Sequence, residues 1–400
     1  MYGQMAQTLS FGLSGVSGFP VQVEVFSAGG LPGMEIIGLP DASVRESKER
    51  VNAAILNSGR EMPPRRMTVN LAPADTRKEG PSFDLPIAVG ILVSCGQIAL
   101  DPEIDLSRTV FFGELGLDGR IQPVNGALSM VISASEQGLQ DVILPAENAM
   151  EVACVQGMRI RPAGHLADVI DHLEGRTPLP VQEQREYGSL LSRPWEGMDL
   201  SQVRGQAGAR RALEVAAAGG HNMLLIGAPG SGKTMLARCL PGILPPLTFA
   251  ESLETTRIHS IAGQLPPGAG LMVNRPFRAP HHSASVASLV GGGNMARPGE
   301  VSLAHNGVLF LDEMPEFSRS ALEALRQPLE DGTVSVTRVR HSTRYQSSFM
   351  LVAGMNPCPC GYYGSRQREC RCTQVQIRKY LDQISGPLLD PRSTHELNDG

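Results

Sequence analysis

Short apolar runs punctuate this chain, and their lengths and spacings separate strands from helices. Residues 222–226, 308–311 and 349–355 are almost wholly apolar, the form of strands buried on both faces of a parallel sheet. Residues 21–26, 67–71 and 142–144 are further strand-like runs with helical segments between them. Within 43–56 the apolar positions Val44, Val51, Ala54 and Ile55 fall among charges, which predicts an amphipathic helix. Residues 233–240 read as another helix, entered soon after the strand at 222–226. The pattern breaks at 176–198, a polar stretch holding Pro178, Pro180, Pro194 and the single tryptophan, Trp195. It reads as a linker in which Trp195 is a packing anchor. The expected fold class is α/β: a first α/β domain over 1–175, the linker, a second domain with a parallel sheet over 199–390, and a tail at 391–400. No internal repeat is visible, and no stretch of eighteen apolar residues predicts a membrane span.

The chemistry concentrates where these strands end. After 222–226 comes Gly227-Ala228-Pro229-Gly230-Ser231-Gly232-Lys233-Thr234, which fits the phosphate-cradling loop at every fixed position. Glycines let successive backbone N–H groups face phosphates, Lys233 supplies a charge for the β/γ-phosphates, and the Thr234 hydroxyl is a candidate Mg²⁺ ligand. The run at 308–311 ends in Asp312-Glu313, a carboxylate for Mg²⁺ followed by one able to orient an attacking water. The run at 349–355 ends in Asn356, whose amide is placed to sense a γ-phosphate.

With these three elements the chain resembles the AAA+ ATPases, with Asn356 in the first-sensor position. The segments FRAPHHSASVASLVGGG (277–293), PGEVSLAHNGVLFLDEMPEF (298–317), LRQPLEDG (325–332) and NPCPCGYYG (356–364) resemble the magnesium-chelatase-related ComM/YifB competence family. That resemblance implies an ATP- and Mg²⁺-dependent ring ATPase, a hexamer acting on DNA as a branch-migration helicase during natural transformation. It also places His281-His282 in a loop facing the ring's pore. A hydrogen-bonded loop pair is the alternative; a two-histidine metal site is not expected, because neighbouring residues of a strand or helix point apart.

In the first domain, TRKEGPSFDLPIAVGIL (76–92) and FFGELGLDGRIQPVNGAL (111–128) resemble the Lon protease domain. The resemblance puts Ser82 at the nucleophile's place and Met130 where the lysine base would stand. A thioether cannot take the serine proton, and Lys78, though close in sequence, belongs to the wrong segment. The expectation is a Lon-like domain without peptidase activity.

Composition adds compartment and charge. The first thirty residues carry no Lys or Arg, so a secretory signal is not expected. Seven cysteines, four of them close together, favour a reducing, cytoplasmic setting over a disulfide framework. Cys358, Cys360, Cys370 and Cys372 would close a tetrahedral zinc site, although C-x-C is tighter than the usual spacing and four reduced cysteines are the alternative. Cys95, Cys154 and Cys239 sit in apolar segments and are expected in cores. Residues 1–200 carry 15 Lys+Arg against 25 Asp+Glu, whereas 201–400 carry 20 against 15. Arg338, Arg340 and Arg344 are therefore DNA-binding candidates, and Arg366, Arg368, Arg371, Arg378 and Lys379 form a second group. Subunit contacts or a solvated face would use the same charges.

The chain departs from the family near its end. Pro391 stands where the family has its candidate arginine finger, Arg392 comes one place late, and a helical lid is not seen. The expectation is ATP binding with poor turnover and weakened ring assembly. Three rivals remain at this level: a magnesium chelatase ATPase subunit, opposed by the Lon-like domain; an ATP-dependent protease, opposed by Met130; and a nucleotide-binding remnant.

Overall fold

The computed structural model describes residues 4–191, 195, 197–292, 296–337, 342–364 and 368–383. Arg338, Arg340, Arg366, Pro194, Pro391 and Arg392 lie outside them. The chain divides into two compact units, one of Met1–Ser189 with His259–Leu271 and one of Leu190–Ile258 with Met272–Gly400.

Alternation builds the first unit. In Ser17–Ala28 the residues Val21, Val23, Val25 and Ser27 are buried while their neighbours are more open. This strand pairs antiparallel with Gln4–Ser14 and with Arg66–Ala72, and Gly33–Ile37 joins the latter in parallel. On the other side of Gln4–Ser14, the strands Thr109–Phe111, Asp141–Pro145 and Arg159–Ala163 follow in parallel, completing a seven-stranded mixed sheet. The amphipathic helix forms at Ala42–Asn57, started by Asp41, whose Oδ1 accepts the Val44 N–H at 2.8 Å. Helices Ala42–Asn57, Asp84–Ser94 and Leu166–Leu173 share one apolar core with Val21, Val23, Val25, Phe111 and Ile143. An ion pair joins the first two of these helices: half-buried Arg50 donates through Nε to buried Asp84 Oδ2 at 2.6 Å, and the Leu115 N–H donates to the same oxygen at 3.1 Å. Residues after Arg176 still hydrogen-bond to this unit, with Gln182 N donating to Ile160 O and Arg185 N to Ala153 O.

The second unit is a four-stranded parallel sheet in the order Met223–Ile226, Met350–Met355, Val308–Leu311, Phe277–Arg278. Every residue of Val308–Leu311 and Met350–Met355 is buried, as unbroken apolar runs require. Helices Ala207–Gly219 and Lys233–Ile243 cover it, and Leu213, Leu225, Leu236, Leu240, Phe310 and Val352 meet in one core. Trp195 packs at the end of the second helix, where a Cβ on Gly242 would lie 2.8 Å from its Nε1. Among the described residues no helix is long and apolar enough to cross a membrane. Cys239 is buried, but Cys95 and Cys154 are only partly so, because each sits at or near a helix end rather than on its inner face.

Candidate nucleotide site

The strand Met223–Ile226 delivers the glycine-rich loop to the N-terminus of the helix Lys233–Ile243. Gly230 and Gly232 hold φ of 80° and 89°, a backbone region that only glycine enters freely. The loop from Gly227 through Ala228, Pro229, Gly230, Ser231 and Gly232 thus wraps a helix end whose N–H groups and dipole favour an anion. Ser231 Oγ is buried there without a hydrogen-bond partner, a polar atom that a bound group would satisfy. Lys233 Nζ lies over the loop, donating to Gly227 O at 2.7 Å and Ala228 O at 3.1 Å.

Two neighbouring strands complete the site. Asn356, at the end of Met350–Met355, accepts from Lys233 Nζ through Oδ1 at 3.2 Å. Asp312, at the end of Val308–Leu311, accepts the Thr234 hydroxyl through Oδ2 at 2.7 Å. A hydroxyl and a carboxylate brought together across 78 residues form an all-oxygen donor set suited to a hard divalent cation. Room for that carboxylate depends on Gly354, since a Cβ there would sit 3.0 Å from Asp312 Oδ1. The same Oδ1 accepts the Glu313 N–H at 3.0 Å, and Glu313 itself holds φ 51°, ψ 45°. Left-handed backbone at a non-glycine residue costs on the order of 1–3 kcal/mol and is found preferentially at working sites. It sends the Glu313 carboxylate toward His282, whose Nδ1 lies 3.6 Å from Oε2.

The histidine pair lies in a loop. His281 and His282 have ring centroids 4.0 Å apart, so adjacent side chains do lie together here. They follow Phe277–Arg278 in a loop, where the alternation of a strand does not apply. Among the described residues, the group of three or more His, Cys, Asp or Glu side chains placed to share a metal is the cysteine quartet.

Sequence reasoning also missed four residues around the site. Gln206 and Ala209 line a small pocket with Leu225, Ile226, Ser231 and Lys233; the signal was the Gly205-Gln206 pair, which enters the helix Ala207–Gly219 through positive φ at both residues. Tyr380, on Gln374–Leu381, places its hydroxyl beside the Asn356 backbone, and burial raises its pKa. His282, beside Glu313, is the fourth. Of the arginine candidates, Arg344 is on the exposed face of the hairpin Thr333–Thr337/Ser342–Gln346, with Nε donating to Thr333 Oγ1 at 3.0 Å. Arg368 stacks over the Tyr362 ring at 4.9 Å, while Arg371 and Arg378 are exposed.

Ser82 lies in the turn Pro81–Phe83, nearly buried, and Met130 is buried in the helix Ala127–Glu136. Lys78 is fully buried, and its amine donates to the carbonyl oxygens of Pro73 and Thr76. Burial lowers its pKa.

Comparison with known proteins agrees with this arrangement. The family described as magnesium chelatase, subunit ChlI, matches residues 199–394, and the family described as subunit ChlI of Mg-chelatase matches 23–148. YifB of Salmonella typhimurium is 45% identical over 376 residues, covering 94% of this chain and 72% of that protein. The competence protein ComM of Haemophilus influenzae is 43% identical over 377 residues, 94% of this chain and 73% of that protein. The Lon protease of Rhizobium meliloti is 26% identical over 148 residues, 35% of this chain and 18% of that enzyme. The chain therefore belongs to the YifB/ComM family of magnesium-chelatase-related proteins, with an AAA+-type ATPase domain and an N-terminal region similar to that of the Lon protease.

Proposed function

We propose that this protein is a Mg²⁺-dependent ATPase that acts on DNA as part of a ring, a hexamer by family resemblance, working in the cytoplasm as a branch-migration motor of natural transformation. The observation that carries the ATPase reading is the Thr234–Asp312 hydrogen bond beside Lys233 and Asn356. Bound ATP and Mg²⁺ would supply the phosphoanhydride bond to be hydrolysed and neutralise the charge that develops on it. Lys233 and the loop N–H groups would hold the phosphates, and Thr234 and Asp312 would hold the cation. Glu313, steadied by His282, would orient the attacking water, and Asn356 would bind the terminal phosphate. In the first domain, Met130 and the tied-down Lys78 leave Ser82 without a base, which favours a non-peptidase role for 1–175.

For DNA the support is the name of the competence relative together with Arg344 on an exposed hairpin. Arg338 and Arg340 lie outside the described residues. The test is ATP turnover with and without single-stranded and branched DNA. Lys233→Ala is expected to abolish ATP binding, and Glu313→Gln to keep binding while turnover falls by at least ~10²-fold. Wild-type affinity in Lys233→Ala refutes the site. Unchanged turnover with every DNA, together with DNA binding that does not weaken with salt, refutes the DNA reading.

A further inference from the structure

We propose that Cys358, Cys360, Cys370 and Cys372 hold one zinc ion, and that this site clamps a loop onto the phosphate loop so that nucleotide affinity depends on the metal. The four Sγ atoms lie within 4.8 Å of one another. Three of the separations are 3.4, 3.6 and 3.6 Å, from Cys358 to Cys360, from Cys358 to Cys370 and from Cys360 to Cys370. Four thiolates at about 2.3 Å around a tetrahedral zinc stand about 3.8 Å apart, so the cluster already has the size of a mononuclear site. None of these cysteines is in a disulfide. An iron–sulfur cluster would occupy the space between the sulfurs and spread them further. Backbone N–H groups point at the sulfurs, among them that of Tyr363 to Cys358 Sγ at 3.3 Å and that of Cys372 to Cys370 Sγ at 3.4 Å. Such donors stabilise charged sulfur around a metal.

The position gives the site its consequence. Cys358 is buried two residues beyond Asn356, and Gly361 follows Cys360. Gly361 holds φ 85°, and a Cβ there would come within 2.6 Å of Pro229 Cδ and 3.9 Å of Asn356 Cγ. The cysteine loop therefore rests directly on the phosphate loop at Pro229. Ligands drawn from both sides of Gly361 would fix that contact, and losing the metal would free it.

The clamp rests on the nucleotide reading, whereas metal content stands apart from it. The experiment uses the full chain purified under reducing, chelator-free conditions. Elemental analysis is expected to find about one zinc per chain, and cobalt exchange to give the absorption of a tetrahedral thiolate site. A fluorescent ATP analogue is expected to bind about tenfold more weakly after chelation, the scale set by freeing one residue held against the loop, and to recover when zinc is restored. Cys360→Ser with Cys370→Ser is expected to lose both zinc and the tighter binding. Zinc absent, iron in its place, or zinc retained by the double variant overturns the metal site. Affinity unchanged by reversible removal of the metal overturns the clamp. Should the zinc-loaded wild type bind no analogue, the nucleotide reading and the clamp fall together, and the zinc stoichiometry still decides the metal site.

Discussion

Glu151→Gln should stabilise the protein at alkaline pH and leave it almost unchanged in acid. Glu151 is buried at 4% exposure, with Oε1 accepting the Leu128 N–H at 3.1 Å and the Ser260 hydroxyl at 3.3 Å. Those donors, and the helix N-terminus at Leu128, favour the charged carboxylate. Burial opposes them and wins, raising the pKa from 4.5 to about 7. Below pH 4.5 both the folded and unfolded chains carry the proton, and the residue has no pH-dependent cost. As pH rises through the window from 4.5 to about 7, the unfolded chain releases its proton while the folded chain keeps it, so stability falls. Taking 1.36 kcal/mol per pKa unit, the loss is about 3 kcal/mol and is complete above pH 7. Glutamine keeps an oxygen for the same donors and cannot ionise. Urea unfolding of wild type and variant at pH 4.5 and pH 8.5 measures this directly, following the transition that the substitution moves. The variant should gain about 3 kcal/mol on wild type between the two conditions. Parallel pH profiles, or a variant that loses ground as pH rises, would show that the hydrogen bonds outweigh burial and refute the reasoning.

Two further outcomes follow from the first domain. Asp84→Ala leaves the Arg50 guanidinium half-buried without its carboxylate and the Leu115 N–H without an acceptor, and should cost about 3–5 kcal/mol in urea unfolding; a loss below 1 kcal/mol would show the pair to be solvated. Ser82→Ala should leave the absence of casein degradation and of acylating-probe labelling unchanged, because Lys78 is held by Pro73 and Thr76; probe labelling that vanishes in the variant would restore a peptidase reading.

The nucleotide loop was legible because its chemistry is written in consecutive residues: strand, glycines, Lys233 and Thr234 all fall between 223 and 243. Asp312 was legible because an unbroken apolar run has to end somewhere, and here it ends in carboxylates. His282 was not, since its approach to Glu313 depends on a left-handed residue and a loop, neither of which has a period. Phe277–Arg278, two residues long, is too short to carry a strand pattern, yet it is the fourth strand of the sheet. The assignment of His259–Leu271 to the first unit was equally hidden. Its residues meet that unit through partners far apart in sequence, as in the hydrogen bonds from Gly126 N to Ser260 Oγ and from Gly268 N to Glu147 O.

The order of the parallel strands explains why these groups meet at all. All four strands run the same way, so their C-terminal ends form one edge, and in an open α/β sheet that edge is where ligands bind. Ile226 pairs with Met355, and Leu311 with Ala353, so the glycine-rich loop, Asn356 and Asp312 leave the sheet at adjacent positions, about 4.8 Å apart per strand. Phe277–Arg278 follows on the far side of the acidic strand, which is why the loop after it brings His282 to Glu313 and not to Lys233. The strand carrying Asn356 lies between the loop strand and the acidic strand, and it continues directly into Cys358. Any restraint on the cysteine loop is therefore applied two residues from the amide that faces Lys233, at the centre of the edge and not at its rim.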